Sequence, residues 1–190
     1  MWKPVILGVA ALFVVSLISV LAYAATKPDS FRVARSASIE APPETVFALI
    51  NDFHSWGAWS PYEKLDPEMT RRIGDPSGGE GATYEWDGNG NVGAGRMQIT
   101  ESTPASAVAL TLDMSRPFEC HNLVRFTLEP EGESTRVTWA MEGSNHYVGK
   151  IIQVFCSMDA MVGSQFEEGL ASLKKVAETS AAATQAQVGG

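Results

Sequence analysis

The sequence predicts an α+β fold in which a curved antiparallel β-sheet wraps one long carboxy-terminal helix, preceded by a separate apolar helix. Three observations carry this. From about residue 67 to 141, apolar and polar side chains alternate in short runs bounded by turn residues. The apolar period then changes to three and four residues over about 30 positions. Ahead of both runs an uncharged stretch, Val5 to Ala25, of 21 residues.

That stretch, as a helix, extends about 31 Å, near the thickness of a bilayer's hydrocarbon core. Trp2 and Tyr23 sit near its two ends, where amphipathic rings favour the interface. Residues 1–27 are therefore expected to be a single-pass transmembrane anchor. A cleaved signal peptide is the alternative, with Lys3 as its basic start and Ala22-Tyr23-Ala24 as the cleavage site, although 17 apolar residues before Ala22 is long for one. Lys27, Arg32 and Arg35 after the span would hold the domain in the cytoplasm by a positive-inside count. That rule weakens before a long folded domain. The short basic start resembles an export signal, which favours the extracytoplasmic side.

Composition bounds the rest. With 190 residues, 45% hydrophobic and 19% charged, the chain has room for one globular domain and an appendage. Lys3 and Lys27 are the only charges before Pro28, so residues 28–190 carry 12 basic and 22 acidic groups, net −10. Such a surface repels polyanions, and nucleic acid is not an expected partner.

The elements follow in order. Thr26 to Ser30 is a polar linker. Phe31 to Ile39 alternates as a half-buried strand. Pro42-Pro43-Glu44 opens a short helix through Val46, Phe47, Leu49 and Ile50. Asn51 to Pro61 reads as a second short helix running into a loop. Glu68 to Ile73 is a strand, and Ala82, Tyr84 and Trp86 mark the next. Met97 and Ile99, then Val108 to Met114, then Val124 to Leu128, then Val137 to Met141 complete a hairpin succession. Val148, Ile151, Ile152, Phe155, Met158, Met161, Val162, Phe166, Leu170, Leu173 and Val176 predict one amphipathic helix, loosened or bent by Gly163 and Gly169. Residues 28–178 form the domain, and 179–190, without periodicity, are expected to be a disordered tail.

A strongly curved sheet with one long helix across its concave face leaves space between them. Strand parity points Tyr84, Trp86, Met97, Leu110, Leu112, Phe126, Val137 and Trp139 into that space, and the helix adds Met158 and Met161. These side chains are nearly all apolar, so the expected partner is a small hydrophobic ligand. Only the Tyr84 hydroxyl offers a donor for a substrate carbonyl, and no catalytic set is assigned. Trp56 and Trp59, three residues apart, either line the pocket mouth or plug a helix onto the sheet.

Other motifs carry less. Gly88-x-Gly90-x-x-Gly93 matches a dinucleotide-binding pattern, but a strand rather than a helix follows it, so it is a hairpin turn. His54, His121 and His146 have no metal partner at i+3 or i+4, and no metal or cofactor is expected. Arg96, Arg116 and Arg125 are expected to pair at the surface. Cys120 and Cys156 read as two buried thiols, with a disulfide as the alternative.

Three segments carry a family resemblance. Ser36-Ala-Ser-Ile-Glu-Ala-Pro-Pro-Glu-Thr-Val-Phe47 resembles the opening of the START-like (SRPBCC) superfamily of polyketide cyclase/dehydrases and lipid-transport proteins. Phe53-His-Ser-Trp56-Gly-Ala-Trp59-Ser-Pro61 is similar to its tryptophan-rich loop, and Thr135 to Met141 to its last strand. The similarity covers about residues 31–178. It implies a helix-grip fold and binding of a lipid- or polyketide-like ligand. The superfamily also houses enzymes and co-chaperones, so a cyclase/dehydratase and an interaction module with a closed core stand as alternatives.

Overall fold

The computed structural model describes residues 2–145, 147–155 and 157–188; His146 and Cys156 lie outside them. Helix α1, Lys3–Ala25, projects from the domain: every side chain from Val5 to Ser19 is exposed, and only its last turns pack on the rest of the chain, with Ala24 buried. It has the length and apolar composition that membrane spans and signal sequences share. Strand β1, Ser30–Ile39, follows the linker. Helix α2, Pro43–Asn51, starts where expected, with proline in its first turn and Glu44 facing the positive end of the helix dipole. The Asp52 side chain accepts from the His54 amide and caps a short 3-10 helix, Phe53–Ala58. Helix α3, Tyr62–Leu65, leads into the meander.

Six strands come next: β2 Thr70–Ile73, β3 Thr83–Asp87, β4 Ala94–Thr103, β5 Ala107–Arg116, β6 Cys120–Glu131 and β7 Ser134–Ser144. With β1 they form one antiparallel sheet in the order β1-β7-β6-β5-β4-β3-β2. Neighbours in sequence are neighbours in space except β1, which pairs with β7 from Ser30↔Ser144 to Ile39↔Thr135. Two register shifts in β4, at Ala94/Gly95 and Ile99/Glu101, are bulges that bend the sheet. The residues of the dinucleotide-like pattern lie in the β3–β4 turn.

The carboxy-terminal helix departs from expectation at both ends. Its apolar period is continuous, yet the chain forms two helices, α4 Tyr147–Phe155 and α5 Met158–Val188. Ser157 explains the restart: its hydroxyl accepts from the Ala160 amide, as an N-cap does. The expected disordered tail is helical through Val188. Alanine favours helix, Ala177 and Ala181 are buried, and Thr179, Ser180 and Thr184 turn their hydroxyls back onto the carbonyl four residues earlier.

Helix α5 runs alongside β1, from Arg35 against Asp159 and Glu167 to Ser38 against Lys174, and buries Phe166, Leu170 and Leu173. Arg35 of β1 faces it and grips two carboxylates, Asp159 at 2.8 Å and Glu167 at 2.6 Å. Gly163 lies between them, where a Cβ would stand 3.0 Å from the guanidinium carbon. Gly169 lies against Trp139. Neither glycine loosens the helix; each admits a close neighbour.

The two ends of the sheet differ in packing. At one end, Ile39, Val137, Leu128, Val108 and Ile99 are buried beneath Phe53, Trp56 and Trp59. At the other end lie the start of β1, the end of β7 and the β5–β6 loop. There the inner positions Phe31, Trp86, Met97 and Leu112 are only half-buried, as are Met158 and Val162 at the start of α5.

Candidate functional site

The candidate site is the concave face between sheet and α5. One ladder row crosses it: Ile73↔Tyr84↔Met97↔Leu112↔Asn122↔Gly143↔Phe31. A second runs Ile99↔Leu110↔Val124↔Met141↔Val33. The alternation of β3 to β7 places side chains on this face by parity, as expected. Tyr84, Leu110, Phe126, Val137 and Trp139 are buried on it. Trp86, Met97, Leu112 and Met158 are half-buried at its looser end, and the Trp86 indole donates to the Val92 carbonyl at 3.0 Å.

Met161 is a correction. It is 50% exposed, because the buried stripe of α5 runs through Phe166, Leu170 and Leu173. Trp56 and Trp59 are a second. They do not line a mouth: both are buried, and their indole N–H groups donate to the carbonyls of Ile50 at 2.9 Å and Leu49 at 3.0 Å. That is the plug arrangement. Their rings meet each other at a centroid distance of 5.0 Å, tilted, and meet Phe53, Phe126 and Trp139 edge-on at 5.1–6.3 Å.

Polar groups on this face are few. The Tyr84 hydroxyl is already engaged, donating to the Glu63 carboxylate, whose other oxygen accepts from Arg71 Nε at 2.6 Å. Burial, then the Glu63 carboxylate, pushes the Tyr84 phenol well above its ordinary range. Burial also pushes the Tyr62 phenol up to about 12. Glu63 was missed by sequence reasoning, because α3 meets β3 only through the tertiary fold.

Among the described residues four buried side-chain polar atoms lack a partner, and two of them, on Trp139 and Asn122, belong to inward positions of the sheet. Trp139 is 3% exposed, its ring stacked on Phe166 at 4.2 Å, and its Nε1–H reaches no acceptor. Asn122 is buried in the Tyr84 row, and its Oδ1 reaches no donor. Each such group costs about 1–3 kcal/mol when left unpaired, so an occupant able to bond them would be stabilised.

The remaining candidates lie outside the face. Arg96 pairs with Glu85 at 3.7 Å, Arg116 with Asp87, and Arg125 with Glu101 at 2.7 Å, all at the surface. His54 is exposed, and His121 meets Asp113 across the outer face of β5 and β6. Cys120 is exposed and free rather than buried, because it opens β6 at the rim.

The model of a family described as polyketide cyclase / dehydrase and lipid transport matches residues 30–178. Solved structures share the fold. The Aha1 dimer structure from Colwellia psychrerythraea is 18% identical, with a TM-score of 0.57 over 78% of this chain and 96% of that one. A structural-genomics protein from Chromobacterium violaceum is 15% identical, TM-score 0.55, over 80% and 99%. Ara h 8.0201 is 12% identical, TM-score 0.54, over 79% and 99%. No curated protein matches the sequence.

Proposed function

The chain belongs to the polyketide cyclase / dehydrase and lipid transport family, and from that premise we propose that it carries a small hydrophobic, lipid- or polyketide-like ligand while tethered to a membrane by α1. The ligand's place is the looser end of the concave face, among Trp86, Met97, Leu112, Met158 and Val162. The observation that carries this reading is the pairing of half-buried apolar side chains with the unpartnered Asn122 Oδ1 in the Tyr84 row. An amphiphile with a donor for that oxygen satisfies it.

Carriage is favoured over turnover. General acid–base chemistry needs a proton-transferring group free to reach substrate. The Tyr84 hydroxyl, a titratable donor that parity places on this face, is bound to Glu63. Tethering is supported by the length, apolarity and exposure of α1.

Native mass spectrometry of the full chain, released from its own membranes in mild detergent, tests both parts. A co-purifying amphiphile and resistance to carbonate extraction are expected. Recovery of a mature form beginning at Ala25 would instead make α1 a signal sequence. A ligand-free chain without saturable binding of an apolar fluorophore would leave an interaction module with a closed core.

A further inference from the structure

We propose that the looser end of the fold is seated directly on the bilayer through α4 and the β5–β6 loop; this rests on the reading of α1 as a membrane tether. Four register pairs bring the relevant segments to one end of the sheet. Ser30↔Ser144 sets the exit of α1 beside the end of β7, from which α4 departs. Asn122↔Gly143, Met114↔Cys120 and Ala94↔Arg116 bring the β5–β6 and β3–β4 turns to the same end.

Chemistry at that end suits a lipid surface. Helix α4 carries one charge in nine residues, Lys150. Lys150 is buried and neutralised by Asp29, in the linker between α1 and β1. The Tyr147 hydroxyl donates to the Leu21 carbonyl at 2.9 Å, docking α4 onto the last turns of α1. Lys27 lies over the Tyr23 ring at 4.7 Å. Tyr23, Tyr147 and Lys27 thus stand together where α1 would leave the hydrocarbon, the depth that tyrosine rings and snorkelling lysines prefer. Phe118, in the β5–β6 loop, is 65% exposed.

The occupant is a bilayer rather than a protein because this end continues the surface of α1. Contact is apolar in origin, since the acidic domain gains nothing from anionic headgroups. Ligand then moves between lipid and the half-buried face at Leu112 and Met158 without crossing bulk water.

The test uses the full chain in phosphatidylcholine vesicles, with both cysteines replaced by alanine and an environment-sensitive fluorophore on Phe118→Cys, Tyr147→Cys or, at the opposite end, Glu133→Cys. Lipids spin-labelled near the carbonyl should quench the first two probes at least threefold more than the third, equally at low and high salt. Vesicle-bound chains whose three probes are quenched alike overturn the seat and leave the tether intact. A chain that fails to float with vesicles overturns both. Unmodified chain with photoactivatable phosphatidylcholine gives an independent reading: crosslinks within 116–120 and 147–158 support the seat, and crosslinks spread to 130–135 overturn it.

Discussion

Gly169 of α5 lies against the Trp139 indole so closely that a Cβ at Gly169 would stand 2.6 Å from Cζ3, and 3.0 Å from Pro61 Cδ. Helix propensity alone would make Gly169→Ala stabilising by about 1 kcal/mol. Here the methyl meets a buried ring stacked on Phe166, and a well-packed core yields only at a cost of about 1–3 kcal/mol. Gly169→Ala should therefore lower the urea midpoint. An unchanged or raised midpoint would show that the indole shifts freely.

Gly163→Ala should show a sign reversal. In the parent the new methyl displaces Arg35 from Asp159 and Glu167, and the loss should outweigh the propensity gain. In an Arg35→Ala background there is nothing to displace, and the same substitution should stabilise by about 1 kcal/mol. A double-mutant cycle by chemical denaturation reads both arms. Equal effects in the two backgrounds would refute the coupling.

Stability should decline on the alkaline side. The Tyr84 and Tyr62 phenols are raised in the folded state, Tyr62 to about 12, against about 10 in an unfolded chain. A raised pKa contributes stability that is complete below the unfolded value and is lost as pH climbs through the folded one. Melting temperature should hold to about pH 10 and fall beyond it. Tyr84→Phe should flatten that fall, while costing about 1–2 kcal/mol at neutral pH through the donor lost to Glu63.

Ligand binding should respond to Leu112 and not to Met161. Leu112→Trp fills the looser end of the concave face and should weaken an apolar fluorophore's binding at least tenfold. Met161→Trp, on an exposed surface, should leave titrations unchanged. The opposite pattern would move the site off this face.

Much of this architecture was legible in the sequence, because strands with one buried face alternate. Tyr84, Leu110, Phe126, Val137 and Trp139 fell inward by parity, and Arg125 fell outward to Glu101. The break at Ser157 was not legible, since the apolar period runs straight through it and only a cap hydrogen bond separates α4 from α5. Met161 sat within reach of the apolar stripe in a continuous-helix reading, and only packing shows it outside. Glu63 had no local signal: it is a surface-type residue on a four-residue helix, brought to Tyr84 and Arg71 by the fold.

The linker between α1 and β1, Thr26 to Asp29, is four residues long and pinned by Lys150. Fully extended it reaches at most about 14 Å. Were α1 to span a bilayer, as proposed, so short a leash would keep the domain at that one surface. Its search would then be two-dimensional, by lateral diffusion, and any cargo would pass to a neighbour in the same membrane or to a soluble acceptor that comes to it.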